Sequence, residues 1–306
     1  MKNLFRSSKY YPTLLICSVA YAALTLLGPL AKNNTYKLSV IAIHMIQVSF
    51  IVLILLIWVA AVYGAVRFKQ YADSIKKSGD GAGFSMVANG LIVLAFGLVA
   101  TSLVGTLRQT AIDNGNEAGF TIINNYMSLL IALVAFALIY GGSAKLLAIT
   151  NKKNAGQTIK IASFVIISSI AILFTRQLLK DSYRNFSPDS TKHASYFMSD
   201  VMIIATIVIP SVISWTLGAW AAINIWAYRQ YVKGFIYKSA LSWLVKGIVY
   251  VVSFSILIRL ITLLSSLSSR SLAFILVFVY VLLATYAIGF LLIAVGSRQL
   301  AKIDEL

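Results

Sequence analysis

Long apolar blocks alternate with short polar segments along the chain. Each block is long enough to cross the hydrocarbon core, which takes about 20 apolar residues as a helix. Stretches such as VSFIVLILLIWVAAV show no alternation of polar and apolar positions, so they do not fit the strands of a membrane barrel. Because a bilayer cannot satisfy an open backbone, each block must be helical. The pattern predicts transmembrane helices near 12–31, 39–66, 84–107, 123–149, 159–180, 199–227, 240–266 and 271–297.

Composition and charge agree with an all-α polytopic membrane protein of eight transmembrane helices. The chain is 59% hydrophobic and 11% charged, far from the balance of a soluble domain. Of its 26 Lys and Arg residues, 17 fall on the side that holds both predicted termini. The positive-inside bias places that side in the cytoplasm. We therefore expect a multi-pass protein of the inner (plasma) membrane, whose basic residues meet anionic lipid heads and not nucleic acid.

A short motif from the middle of the chain nearly recurs at its end. The sequence GGSAKLLAI at 141–149 reappears as VGSRQLAKI at 295–303. Other matches follow in the same order, among them Gly90 with Gly247. Their shared order, at equivalent places in the pattern of spans, indicates a tandem duplication.

The duplication divides the chain into two four-span repeats, 1–150 and 151–306. Since four is even, both repeats enter the membrane from the same side and must be parallel, related by an axis along the membrane normal. Small residues at four-residue spacing on the second and sixth spans let helix backbones approach closely. We expect helix contacts within or between the repeats at Ala60, Ala61, Gly64, Ala65, Gly218 and Ala222.

Residues suited to catalysis are scarce. His44 is the one histidine inside a predicted span, which leaves a haem without paired ligands, so we interpret it as structural. No nucleophile-elbow, zinc-protease or P-loop motif is present. All nine acidic residues fall in predicted loops or at span ends, which disfavours carboxylate-coupled antiport. The sequence thus predicts no enzymatic activity, no cofactor and no metal site.

Three arginines on the predicted outer side form a candidate site for an anion or a lipid phosphate. Arg259 lies about two turns inside the seventh span, where an unaided charge costs at least a few kcal/mol. Arg108 and Arg176 close the third and fifth spans on the same side. The alternative is that these side chains extend to lipid phosphates or pair with loop carboxylates. We expect Arg259 to point into the protein.

Two further residues are interpreted as structural. Lys246 lies near the inner end of the seventh span, where its ammonium group can extend to the interface. Pro210 lies within the sixth span and should kink it, which frees a backbone carbonyl. A kinked helix can line a substrate path, but proline is also frequent in ordinary membrane spans.

The second half of the chain also shows a resemblance. WTLGAWAAINIWAYRQYVKGFIYKSAL at 215–241 and GSRQLAKIDEL at 296–306 resemble uncharacterised multi-span membrane proteins of candidate-phyla bacteria with reduced genomes. The resemblance covers the first half poorly. It implies a multi-pass membrane protein but no activity and no residue roles.

Two functional hypotheses follow from the sequence. The first is a permease or a lipid- or anion-binding membrane protein with a site between the two repeats. The alternative is a non-catalytic subunit or scaffold of a cell-envelope complex. The expected partners are membrane lipids, and other membrane subunits or a second copy of the chain.

The charge distribution generates a topology prediction. Because the basic surplus lies on the side of both termini, a reporter fused to the C-terminus should be active only if it is a cytoplasmic reporter. Paired cytoplasmic and periplasmic reporter fusions measure this directly. A periplasmic signal would overturn both the topology and the parallel arrangement of the repeats.

Overall fold

A computed structural model describes residues 40–113, 117–150, 156–184, 204–266 and 272–303. Within these ranges the chain forms seven α-helices and no strand. The helices are α1 (Val40–Ser74), α2 (Gly81–Asp113), α3 (Glu117–Ile149), α4 (Gln157–Arg184), α5 (Ile209–Tyr231), α6 (Phe235–Ser266) and α7 (Leu272–Ile303). Seven of the apolar blocks therefore form helices, and the block at 12–31 lies outside the described residues.

The described part of the chain has the character of a multi-pass membrane protein. Its five helical segments that are long and apolar enough to cross a membrane are Val52–Ser74, Met127–Ile149, Ile204–Tyr231, Phe235–Ile258 and Tyr280–Lys302. Helices α2 and α4 contain shorter apolar segments, Gly81–Gly97 and Gln157–Leu173. A helix satisfies its own backbone hydrogen bonds, which is the condition for crossing a bilayer.

Six of the helices pack in a closed ring. Around it, α1 contacts α2, α2 contacts α3, α3 contacts α5, α5 contacts α6, α6 contacts α7, and α7 returns to α1. Helix α4 packs against α5 and α6. The α1–α7 and α3–α5 contacts join the first half of the chain to the second.

The pairs α2–α3 and α6–α7 approach most closely at glycines. A Cβ atom added to Gly90 would lie 2.7 Å from the carbonyl oxygen of Ala135 on the facing helix. A Cβ atom added to Gly247 would lie 2.7 Å from the carbonyl oxygen of Gly289. Real Cβ atoms almost never come so near, so only glycine permits these backbones to pack at this distance.

The repeated motif near the ends of α3 and α7 makes the same kind of contact. A Cβ atom on Gly142 would lie 2.5 Å from the Gly83 carbonyl oxygen, and one on Gly296 would lie 2.7 Å from the Ala240 carbonyl oxygen. The serine and leucine that follow each glycine are fully buried: Ser143, Leu146, Ser297 and Leu300. Both copies of the motif therefore press the end of a helix against the start of its partner.

The small residues on α1 and α5 are also helix contacts, as the sequence predicts. A Cβ atom on Gly64 would lie 3.2 Å from the Cα atom of Ala294, so this contact joins α1 to α7. A Cβ atom on Gly218 would lie 2.5 Å from Val252 Cγ2 and 3.0 Å from Phe136 Cδ1. The neighbouring small residues are all buried: Ala60, Ala61, Ala65 and Ala222.

A π-helical turn lies next to Pro210, and the kink expected at this proline stays a prediction. This turn, Ile204–Val208, directly precedes α5, and Pro210 is among the first residues of that helix. Proline has no N–H to donate to the preceding turn, so the α-helical register cannot run through it unchanged. The Ser211 hydroxyl donates to the Ile207 carbonyl oxygen at 2.7 Å, which supplies a donor in the same region.

The glycine contacts generate a stability prediction. We expect Gly90→Ala and Gly247→Ala each to lower the free energy of unfolding by about 1–3 kcal/mol, because a methyl group cannot fit against a backbone carbonyl without a shift. Thermal unfolding in detergent, followed by circular dichroism, measures the loss. The control is Gly79→Ala, since a Cβ atom at Gly79 would meet nothing within 4 Å. Equal melting temperatures for all three variants would contradict the prediction.

Candidate functional site

One end of the helix bundle collects aromatic and basic side chains, and we call it the basic end. It comprises the ends of α1, α3, α5 and α7, the starts of α2 and α6, and the turns between them. Its Lys and Arg residues include Arg67, Lys69, Lys145, Arg229, Lys238 and Arg298. Aromatic residues at the edge of a membrane-spanning bundle are typical of the interface between lipid and water.

A tyrosine cluster lies inside the basic end, formed by Tyr71, Tyr228 and Tyr237 around the ring of Phe84. The Phe84 ring centroid is 5.3 Å from that of Tyr71, 6.1 Å from that of Tyr228 and 6.4 Å from that of Tyr237. Phe84 is fully buried, and Tyr71 and Tyr228 are nearly so. These rings come from α1, α2, α5 and α6, so the cluster brings four helices together.

Hydrogen bonds within the cluster join the two halves of the chain. The Tyr71 hydroxyl donates to the Tyr237 hydroxyl at 2.9 Å, which links α1 to α6. The Tyr228 hydroxyl donates to Asp80 Oδ2 at 2.8 Å, which links α5 to the turn before α2. A hydrogen bond to an ionised carboxylate is among the stronger ones in proteins. The basic end is therefore tied together by polar groups as well as by packing.

A cleft of about 720 Å³ opens beside the tyrosine cluster. Asp80, Ile149 and Thr150 line it from the first half of the chain, and Tyr228 and residues 231–237 line it from the second. Pockets for small ligands are usually of this size. Because both halves contribute walls, any relative movement of the halves would change the shape of the cleft.

The backbone between α5 and α6 shapes the rim of the cleft. Gly234 has φ of 99°, a left-handed conformation that residues with a side chain rarely adopt. The chain can therefore turn sharply from α5 into α6. Three apolar side chains stand out around this turn, with exposed fractions of 88% for Phe235, 53% for Ile236 and 49% for Ile149. The rim is apolar, while the interior beside it carries phenols and a carboxylate.

The lining of the cleft contains side chains of both charges. Among the described residues, its lining includes the acid Asp80 and the base Lys233. Within the described ranges Asp80 forms no ion pair, although the basic end is rich in Lys and Arg. Asp73 at the end of α1 behaves differently, since Lys69 Nζ lies 3.1 Å from its Oδ1 atom. The Asp80 carboxylate is thus held by a phenol and faces the cleft without a cation from the described protein.

A further polar contact between the halves is fully buried in the bundle. Asn224 Nδ2 of α5 donates to the Ser143 hydroxyl of α3 at 3.2 Å, and both residues are buried. The Ser143 hydroxyl in turn donates to the Tyr140 carbonyl oxygen at 2.8 Å. Within the described residues, the Asn224 Oδ1 atom has no hydrogen-bond partner. This contact fixes the register of α3 on α5.

Most of the site residues expected from the sequence fall where their side chains are not described. The side chains of Arg259, Arg108, Arg176 and His44 lie outside the described residues, so the outer anion site stays a prediction. Lys246 is exposed, and its Nζ atom lies 4.8 Å from the centroid of the Trp243 ring. This cation–π contact suits a structural residue at the edge of a membrane.

The cleft itself was not predicted, although its parts were visible in the sequence. Asp80 is one of the nine acids that the sequence places in loops or at span ends, and no local pattern gives Tyr71, Tyr228 or Tyr231 a role. The signal that marks the site is the meeting of these residues from two distant segments of the chain. A duplicated architecture predicts such a junction without identifying its side chains.

Comparisons with protein-family models, with curated proteins and with solved structures give no match. The resemblance noted for the second half therefore stays a prediction. The function has to be argued from the cleft and from the membrane character of the helices.

The cluster generates a second stability prediction. We expect Tyr228→Phe to lower the free energy of unfolding by about 1.5–3 kcal/mol, because Asp80 loses a donor to its charged carboxylate. Thermal unfolding in detergent measures the change. The matched control is Tyr250→Phe on α6, where the side chain is exposed. If both variants melt at the same temperature, the Tyr228–Asp80 bond does not stabilise the basic end.

Proposed function

We propose that the protein is a permease or lipid-binding protein of the cell inner membrane, with its ligand site in the cleft at the basic end. The observation that supports this function best is that both halves of the chain line the cleft. A site at such a junction can couple binding to a movement of one half against the other. We propose binding or transport, and not catalysis, as the activity.

We also propose that the two halves are parallel repeats of four spans each, 1–150 and 151–306. The matching glycine contacts support this: Gly90 on α2 and Gly247 on α6 meet the same kinds of atoms on α3 and α7. The order of helices around the ring supports it too, since α1, α2 and α3 follow one another as α5, α6 and α7 do.

The repeats suggest which helices would move together and which contacts would break when the cleft opens. Within each half, glycine contacts press one helix pair together, α2–α3 in the first and α6–α7 in the second. Between the halves, the basic end is joined by the Tyr71–Tyr237 and Tyr228–Asp80 hydrogen bonds. We propose that each glycine-packed pair moves as a unit and that these hydrogen bonds break when the cleft opens.

The same proposal includes an orientation. With the basic end toward the cytoplasm, its Lys and Arg residues lie among anionic lipid heads, where each contributes about 1 kcal/mol. The cleft would then open at the depth of the inner head groups. Membrane lipids are the proposed partners, and other membrane subunits or a second copy remain predicted ones.

Filling the cleft tests the proposed function. Thr150 lines the cleft, so Thr150→Trp should displace a bound lipid or ligand while the helices stay folded. Native mass spectrometry of protein purified in mild detergent measures the lipids that remain bound. The control is Thr158→Trp, at an exposed position of α4 outside the lining. Equal lipid retention by both variants and the parent protein would exclude the cleft as the site.

A further inference from the structure

We propose that the cleft selects ligands that carry an organic ammonium group together with an anionic group, with Asp80 facing the ammonium and Lys233 facing the anion. This inference rests on the proposed function and adds the chemical class of the ligand. Such ligands include a zwitterionic lipid head group and a free zwitterion of the same chemistry, for example an amino alcohol phosphate.

Asp80 is the first part of the argument. Its carboxylate lines the cleft and accepts a hydrogen bond from Tyr228, yet it forms no ion pair within the described ranges of the chain. A carboxylate has two oxygens with several acceptor positions, so one phenol does not saturate it. Of the two acids whose side chains are described, Asp73 pairs with Lys69, whereas Asp80 forms no ion pair with a described Lys or Arg. An ammonium group from a ligand would place a cation beside this carboxylate.

The aromatic lining is the second part. Tyr228, Tyr231, Phe235 and Tyr237 all line the same cleft. The face of an aromatic ring attracts a cation, and several rings around one acid form the usual surroundings of a bound organic ammonium. The faces of these rings attract a cation and not an anion, and the Asp80 carboxylate repels an anion. The lining therefore argues against a site for an anion alone.

Lys233 is the third part. It lines the cleft next to Gly234, and its side chain is exposed. A ligand that carried only a positive charge would be repelled by this ammonium, whereas a zwitterion can place its phosphate or carboxylate there. The acid and the base together thus favour a ligand with both charges.

The apolar rim of the cleft favours a lipid over a free zwitterion as the ligand. Phe235, Ile236 and Ile149 expose apolar surface at the edge of the cleft, and acyl chains can cover such surface. A lipid with an aminoethyl phosphate head group matches the interior and the rim at once. A free zwitterion matches the interior alone.

The test compares lipid binding to the purified full chain by native mass spectrometry. The probes are dioleoyl phosphatidylethanolamine, dioleoyl phosphatidylglycerol and soluble phosphoethanolamine. We expect the ethanolamine lipid to bind more tightly than the glycerol lipid, and Asp80→Asn to weaken the ethanolamine lipid by about tenfold and remove the preference. Asparagine retains an oxygen that can accept from Tyr228, so the fold should persist.

Matched controls separate the two charges. Asp73→Asn removes a nearby carboxylate outside the cleft, which pairs with Lys69, and it should leave the preference unchanged. Lys233→Gln should weaken both lipids, because both carry a phosphate, whereas Lys76→Gln at an exposed position of the turn should weaken neither. Competition by phosphoethanolamine would identify a free zwitterion as the source, and its failure to compete would identify the lipid head group.

Two results would overturn the inference. One is equal binding of the two lipids by the parent protein with no binding of phosphoethanolamine, a result that needs no variant. The other is a preference that survives in Asp80→Asn. If Thr150→Trp still removes bound lipid in either case, the cleft remains the site and only its selectivity for ammonium is wrong.

Discussion

The positions of the helices, and of the cleft between them, depend on the close approach of helix backbones at glycines. In a bilayer, apolar side chains gain little by leaving lipid for one another, so helices associate through tight packing and polar contacts. Gly90 and Gly142 bring α2 against α3, and Gly247 and Gly296 bring α6 against α7. Asp80 lies in the turn just before α2 and Tyr237 in the first turn of α6, so the packing of these two helices holds both residues at the cleft.

Polar contacts then join the two halves of the chain at one end of the bundle. The Tyr71–Tyr237 and Tyr228–Asp80 hydrogen bonds and the buried Asn224–Ser143 contact each connect the first half of the chain to the second. A phenol suits such a place because its ring packs among apolar groups while its hydroxyl reaches a partner. The halves are thus joined both by close packing, as at Gly64 against Ala294, and by these polar contacts.

Local patterns predicted most of the fold, because helix formation in a membrane depends on contiguous apolar residues. The seven apolar blocks within the described residues form helices, the small residues of α1 and α5 make helix contacts, and a π-helical turn lies next to Pro210. The cleft could not be predicted in this way. Asp80 and Tyr228 are far apart in sequence, and neither is unusual in its own segment. Their meeting depends on how the halves pack, which no local pattern encodes, and the arginines that local reasoning selected lie where side chains are not described.

The π-helical turn before α5 allows this span to change its helical register. A π turn contains one residue more than an α-helical turn. Its conversion to α-helix would rotate the preceding chain by about 100° and displace it by about 1.5 Å along the axis. Ser211, Ser214 and Trp215, just beyond Pro210, are buried. Because packing holds them in place, the residues before them would be the ones that rotate. The turn before α5 therefore contains one residue more than an α-helical turn would need, and it lies at the end of α5 farthest from the cleft.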